Sequence, residues 1–486
     1  MKTNSPAYVT VLRSYVILLL ALAPFVFSSC DDDNDPGTTP DPKGNADNQY
    51  VNDWIKENMD FWYLWNETIP SNVDRNLEPD EYFTKLLNKD DRFSWIQPDY
   101  IELIKSLDGI SKEGGFEYVL YRESSQSDVV IAQILYIKPS SPASAAGLKR
   151  GDVITRINGS NLTTSNYRDQ IAKLKENYTL TYRPLVVEEE RFDAEKTADI
   201  TVVEYAENPN HLSKVIEVDG RKVGYFVYTF FSPGEDDVYD LQTDQIFQEF
   251  KNEGITDLVV DLRFNSGGSE VSARNLASLI GAGINSSSVF FKRQYNSKVT
   301  EEILASPQLG ESFLTSLYND ESANIGSLLT GKRVYILTSS RTASASELII
   351  NGLRPYMEVF LIGDVTYGKN VGSISIYEEN DARNKWGLQP IVVKVANSLG
   401  SADYAEGFAP DIANDDNNLY LYPLGDEREN LLAEAIAHIT GKPSPSGREG
   451  LKTDGFGSEV LQHSLDLKPR SFRLIMDESS IPGLSH

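Results

Sequence analysis

Residues 256–268 read TDLVVDLRFNSGG, a short apolar run that closes on two adjacent glycines. A run of this length, bounded by a glycine turn, reads as a buried strand rather than a helix. Its neighbours set the fold class. Before it, KVGYFVYTFF (222–231) is a second strand pattern, and DLQTDQIFQEFKNEG (240–254) carries Ile246, Phe247 and Phe250 on one helical face before Gly254. After it come the helix pattern EVSARNLASLIG (270–281), the strand KRVYILTSS (332–340), a second short apolar helix and the strand MEVFLIGD (357–364). Strands alternating with helices predict βαβ units, hence an α/β core on a mostly parallel sheet over about residues 206–440.

In open α/β sheets, sites form outside the carboxyl ends of the strands. Three loops leave those ends here: RFNSGG (263–268), SSRTASASE (339–347) and TYGKNVGS (366–373). The first offers the backbone N–H groups of Gly267 and Gly268 with no side chain in the way. The second crowds five hydroxyls, Ser339, Ser340, Thr342, Ser344 and Ser346, at the mouth of a helix. The third offers Lys369. A serine nucleophile needs a base. The four histidines, His211, His438, His463 and His486, all lie outside these loops. A Ser/Lys pair needs none, provided burial keeps the amine neutral. The same residues also have a plainer reading. Ser344-x-x-Glu347 is a capping box, Lys369 alone is a solvated loop lysine, and Gly267-Gly268 is a turn.

The 486 residues are too many for one ordinary domain, and their composition is globular. A formal net charge of −27 argues against a nucleic-acid partner, whose phosphates want a basic surface. Lys2 and Arg13 form a positive segment before the apolar run Tyr15–Phe27, which is short for a membrane span and reads as an export signal over residues 1–29. Cys30 follows two serines and is the only cysteine, so an intrachain disulfide is excluded. That arrangement resembles a bacterial lipobox, which implies cleavage before Cys30 and its lipidation. Residues 30–48 are acidic and rich in Pro, Gly, Asn and Thr, a flexible tether. The three aspartates after Cys30 resemble a surface-export signal of some diderm lipoproteins. The expected location is the outer membrane of such a bacterium, on its periplasmic or its outer face.

Order is expected from about residue 49. Val51, Trp54, Ile55 and Met59 recur at helical spacing, and EPDEYFTKLL is a second helix, giving a small helical domain over 49–105. Its aromatic cluster reads as core packing. Residues 106–205 contain two β-type runs, Phe116–Tyr121 and Val129–Tyr136. They are followed by SSPASAAGL with Gly147 at the helix end and a hairpin turn at Asn158-Gly159. The SPA-AGL-GD-I-ING skeleton resembles a PDZ domain. The resemblance implies a groove for an extended peptide at Gly115, Phe116 and Glu117, where Glu117 would repel a terminal carboxylate. Residues 441–486 form a C-terminal extension, with KPRSFRLIM (468–476) as one late strand.

DLRFNSGG, TASASE and GDVTYGK, in this order behind a PDZ, resemble the C-terminal processing serine proteases. The resemblance implies Ser344 as nucleophile, Lys369 as base and Glu347 as assistant. It implies an oxyanion hole from the N–H groups of Ala345 and Gly267, with Gly268 as alternate. It implies protein or peptide substrates and no metal or organic cofactor. Many members carry a glutamine four residues after the lysine; Ser373 stands there and is the candidate to orient Lys369. Oligomeric state is not legible. The alternative is a catalytically silent peptide- or ligand-binding surface lipoprotein on the same scaffold.

Overall fold

The computed structural model describes residues 42–443, 459–468 and 472–476. The export signal, Cys30 and most of the tether lie outside these. No helix among the described residues is long and apolar enough to cross a membrane. Residues from Asn45 onward form one compact unit.

Helix α1 (Pro42–Trp62) begins seven residues before the expected boundary at 49. Its Val51, Ile55 and Met59 stripe packs with Tyr82, Phe83 and Leu86 of α2 (Pro79–Leu86). These side chains share one core with Phe226, Leu258 and Val260 of the large sheet, so the helical segment is built onto the α/β body.

After α3 (Tyr100–Leu107) the chain enters the PDZ-like part. Its strands are β1 (Phe116–Arg122), β2 (Val130–Ile137), β3 (Val153–Ile157), β4 (Tyr178–Arg183) and β5 (Lys196–Ile200). Helix α4 (Tyr167–Ala172) precedes β4. The expected turn after β3 is present, with φ of 50° at Asn158 and 76° at Gly159.

The α/β body contains β6 (Asn210–Val218), β7 (Arg221–Tyr228), α5 (Val238–Glu253), β8 (Asp257–Asp261), β9 (Gly267–Ser269) and α6 (Glu270–Ile280). It continues with β10 (Val289–Tyr295), β11 (Thr315–Leu317), β12 (Arg333–Thr338), α7 (Ala345–Leu353), β13 (Glu358–Gly363), β14 (Val371–Ser373), β15 (Ile391–Asn397), β16 (Ile412–Ala413) and α8 (Asn430–Thr440). The central sheet runs β6-β7-β8-β12-β13-β16, parallel throughout except for the β6–β7 hairpin. Strand β8 is paired on both edges and covered on both faces. Leu258 and Val260 join the core that includes α6 and α7, while Val259 joins Leu431, Leu432 and Ala435 of α8. That is why its centre, Leu258–Val260, is apolar throughout rather than alternating.

A second, mixed sheet was not legible from the strand pattern. It runs β9-β18-β14-β15-β10-β11 and includes β18 (Arg473–Ile475) from the C-terminal extension. A further tail strand, β17 (Glu459–His463), extends the PDZ sheet on β1. The described parts of residues 441–486 are therefore woven into both bodies rather than appended to them.

Candidate active site

Three loops converge at the carboxyl ends of β8, β12 and β13. The crowded hydroxyls explain how. Ser339 Oγ donates to the Arg263 carbonyl at 2.6 Å, Thr342 Oγ1 to Leu262 O at 2.9 Å, and Ser346 Oγ to Asn265 O at 3.1 Å. Three of the five thus staple the glycine loop to the mouth of α7. Ser344 differs. Its Oγ is buried and has no hydrogen-bond partner among the described residues. Its backbone sits at φ 62°, on the left-handed side that side chains other than glycine rarely adopt.

Ser344 and Glu347 stand as a capping box at the start of α7, and Glu347 makes its well-formed hydrogen bond. Its Oε2 accepts from the N–H of Ser344 at 2.8 Å and of Lys369 at 2.8 Å. Its Oε1 accepts from Thr366 Oγ1 at 2.6 Å and from the Gly368 N–H at 2.7 Å. One buried carboxylate thus clamps the backbones of the serine and lysine loops together. Burial pushes its carboxyl up from the ordinary value, and the four donors oppose that.

Lys369 is fully buried, so the solvated-loop reading is excluded. Burial, followed by the repulsion of nearby Arg473, holds its amine well below the ordinary lysine range; Asp91 and Glu347 work the other way. Its Nζ lies 5.1 Å from the centre of the Phe93 ring. Its hydrogen bond goes to the Phe472 carbonyl at 2.7 Å and not to Ser344.

Gly267 lies against the serine: a Cβ added there would stand 2.7 Å from Ser344 Cβ. Its φ of 113° and that of Gly268, 134°, keep both positions glycine. The Gly267 N–H, expected as an oxyanion donor, donates to Asn265 Oδ1 at 2.9 Å in this structure. Phe231 bonds the Gly267 carbonyl and the Ser269 N–H, so strand alternation turns the Gly268 N–H to the opposite edge. The Ala345 N–H opens α7 and has no acceptor among the described residues. Ser373 also differs from expectation. Its Oγ contacts Gln389 Oε1 at 2.8 Å and Leu474 O at 3.3 Å, with no bond to Lys369. His438 packs away from the site, 3.0 Å from the Tyr335 hydroxyl. Among the described residues, no group of three or more His, Cys, Asp or Glu could hold a metal ion.

The sequence profile of peptidase family S41 matches residues 222–413, that of the S41 N-terminal domain residues 50–95, and that of the PDZ domain residues 106–181. Over residues 222–413 the chain is thus similar to peptidase family S41. A carboxyl-terminal-processing protease of Picosynechococcus sp. is 26% identical over 304 residues, 62% of this chain and 65% of that protein. The chloroplastic C-terminal processing peptidase of Tetradesmus obliquus is 23% identical over 372 residues, 74% of this chain and 73% of that protein. The chain thus spans just under two thirds of the first of these relatives. A crystal structure of an S41 protein from Bacteroides fragilis superposes with a TM-score of 0.66 at 27% identity, covering 84% of this chain and 99% of that one.

Sequence reasoning missed three supports of this site. Arg263 is buried and ion-paired to Asp261, Asp416 and Glu429, anchoring the loop that leads to Gly267. The helical segment reaches the lysine loop, where Arg92 Nη2 donates to the Gly368 carbonyl at 3.1 Å. The third is the tail at Phe472 and Arg473. Apart from Asp261, which is two residues from Arg263 in the same motif, the partners are far apart in sequence.

Proposed function

We propose that this chain is a serine endopeptidase of the C-terminal processing type, acting on protein or peptide substrates through Ser344 and Lys369. The observation that carries the reading is one buried carboxylate, Glu347, that holds a strained, unpartnered serine and a fully buried lysine in one frame. Neutral Lys369 takes the Ser344 proton as Oγ attacks the substrate carbonyl. The developing oxyanion is met by the Ala345 N–H and, once Arg473–Ile475 leaves the edge it occupies beside Gly268, by the Gly268 N–H. Lys369 passes the proton to the leaving amine, and water hydrolyses the acyl-enzyme with the same lysine as base. We also propose export, lipidation at Cys30 and attachment to the outer membrane of a diderm bacterium, on the strength of the leader and the SSC motif. Metabolic labelling with a palmitate analogue, lost in Cys30→Ala, tests that part.

The base form of Lys369 is populated above its own pKa. The kcat/KM for an unfolded protein is therefore expected to rise through a limb lying below the ordinary lysine value and then level off. A limb centred on the ordinary lysine value would sink the assignment of Lys369 as base.

Glu347 acts as a positioning residue. Glu347→Gln keeps the shape but replaces one acceptor oxygen with an NH2 that faces backbone N–H groups. A loss of about 100-fold in kcat with little change in KM is expected. A change confined to the melting temperature would mean that Glu347 only caps α7.

A further inference from the structure

The C-terminal extension occupies two places at once. Strand β17 adds to β1 antiparallel, with Glu459 opposite Arg122 and His463 opposite Val119. The chain then borders a cavity of about 530 Å³ whose lining includes Gly115, Glu117, Ile171 and Lys468. This is the cleft between β1 and α4 in which PDZ folds take peptides by strand addition. Farther on, Arg473–Ile475 lies between β9 and β14, opposite Gly267, Gly268 and Ser373.

The chemistry of the cleft says what it accepts. Lys138 Nζ is 2.5 Å from Glu113, 3.1 Å from Glu117 and 2.7 Å from Glu207, so three buried or half-buried carboxylates surround one resident ammonium. The tail supplies the missing cation: Lys468 Nζ is 2.6 Å from Glu117 and 3.0 Å from Glu113. Ser464 Oγ donates to Glu117 at 2.5 Å and accepts from the Tyr118 N–H at 2.8 Å. A free carboxylate entering here would meet like charge, whereas a hydroxyl followed four residues later by a lysine meets complementary groups. Val460 and Leu467 remain about half exposed while His463, Ser464 and Leu465 are buried, so the docked segment is embedded at its centre and open towards its ends.

We propose that the PDZ cleft is a receptor for an internal extended segment bearing this hydroxyl and lysine, and that its resident ligand is the chain's own residues 459–468. Docking delivers Arg473–Ile475 into the strand slot beside Ser344, where the Phe472 carbonyl takes the hydrogen bond of Lys369. The tail is thus a tethered occupant that an incoming substrate must displace. Its effect on hydrolysis rests on the Ser/Lys reading; the docking itself does not.

The test uses the full chain as wild type, Lys468→Glu, Lys468→Arg and Ser464→Ala. Backbone amide exchange is followed at residues 460–463 and 473–476, alongside hydrolysis of an unfolded protein and labelling of Ser344 by a fluorophosphonate. Both segments are expected to exchange slowly in wild type and in Lys468→Arg, and to lose protection together in Lys468→Glu and Ser464→Ala. Hydrolysis should rise about fivefold as the competent fraction grows. An amidated peptide of residues 459–468 should bind Lys468→Glu and not wild type. Fast exchange in wild type, or release of 460–463 with 473–476 still protected, overturns the proposal. So does tail release in a chain that labels at Ser344 yet hydrolyses no faster. If exchange behaves as expected but no form labels or hydrolyses, the docking stands and the Ser/Lys assignment falls.

Discussion

Ser344→Ala and Lys369→Ala each reduce hydrolysis of an unfolded protein by on the order of 10⁴-fold or more, and the double variant loses no more than either alone. The near-equality follows from the mechanism. A serine hydroxyl without a base is a poor nucleophile, and a base without its serine has nothing to activate. Lys369→Arg should be as inactive as Lys369→Ala although it keeps the charge, because a guanidinium cannot release its proton near neutral pH. That variant separates a base from a cationic anchor, since an anchor would tolerate arginine. Ser344→Ala removes a buried hydroxyl with no partner among the described residues, so its unfolding midpoint in urea should match wild type. Wild-type activity in either alanine variant, with a matched midpoint, would mean that another nucleophile is at work.

How much of this was legible in the sequence depended on distance along the chain. Strand β8 announced itself because its centre, Leu258–Val260, is paired on both edges and packed on both faces, which leaves polar side chains only to its ends at Asp257 and Asp261. The three loops could be placed at one end of the sheet because chain direction in a parallel sheet fixes which end each strand leaves from. Glu347 was readable as a candidate but not in its use. Its bonds run to the backbone of Gly368 and Lys369, and backbone donors carry no sequence signature. Ser373 was placed by register alone, and its partner Gln389 comes from a separate strand. The second sheet escaped notice because β9, β14 and β18 are three residues each, too short for an alternation to show. Glu117 was readable as hostile to a terminal carboxylate. The cations that satisfy it, Lys138 and Lys468, lie 21 and 351 residues away. Burial works against its charged form, and those two lysines outweigh it and hold its carboxyl below the ordinary range.

Arg263→Leu should destabilise the protein by about 3–5 kcal/mol, more than an ordinary cavity-sized change at the same position. Arg263 is nearly inaccessible. It bonds Asp261 through Nε and Nη2, Glu429 through both terminal nitrogens at 2.6 and 2.8 Å, and Asp416 at 2.7 Å. Leucine fills much of the volume but leaves three carboxylates around the space, with Arg150 the remaining cation at 3.1 Å from Glu429. Burial opposes the charged form of Glu429, and Arg263 is the largest of the influences that hold its carboxyl below the ordinary range. Without that guanidinium, burial prevails and the folded state takes up a proton. A carboxyl raised in the folded state contributes stability at low pH and loses it as pH rises. The deficit of Arg263→Leu, read from urea midpoints, should therefore be smaller near about pH 5 than near about pH 8. Adding Glu429→Leu should recover part of the loss, since it removes a carboxylate the first change stranded. The loop that carries Gly267 starts at this arginine, so hydrolysis should fall in the single variant even at temperatures where the chain is still folded. Full activity there, with only the midpoint lowered, would show that Arg263 anchors the sheet and not the site.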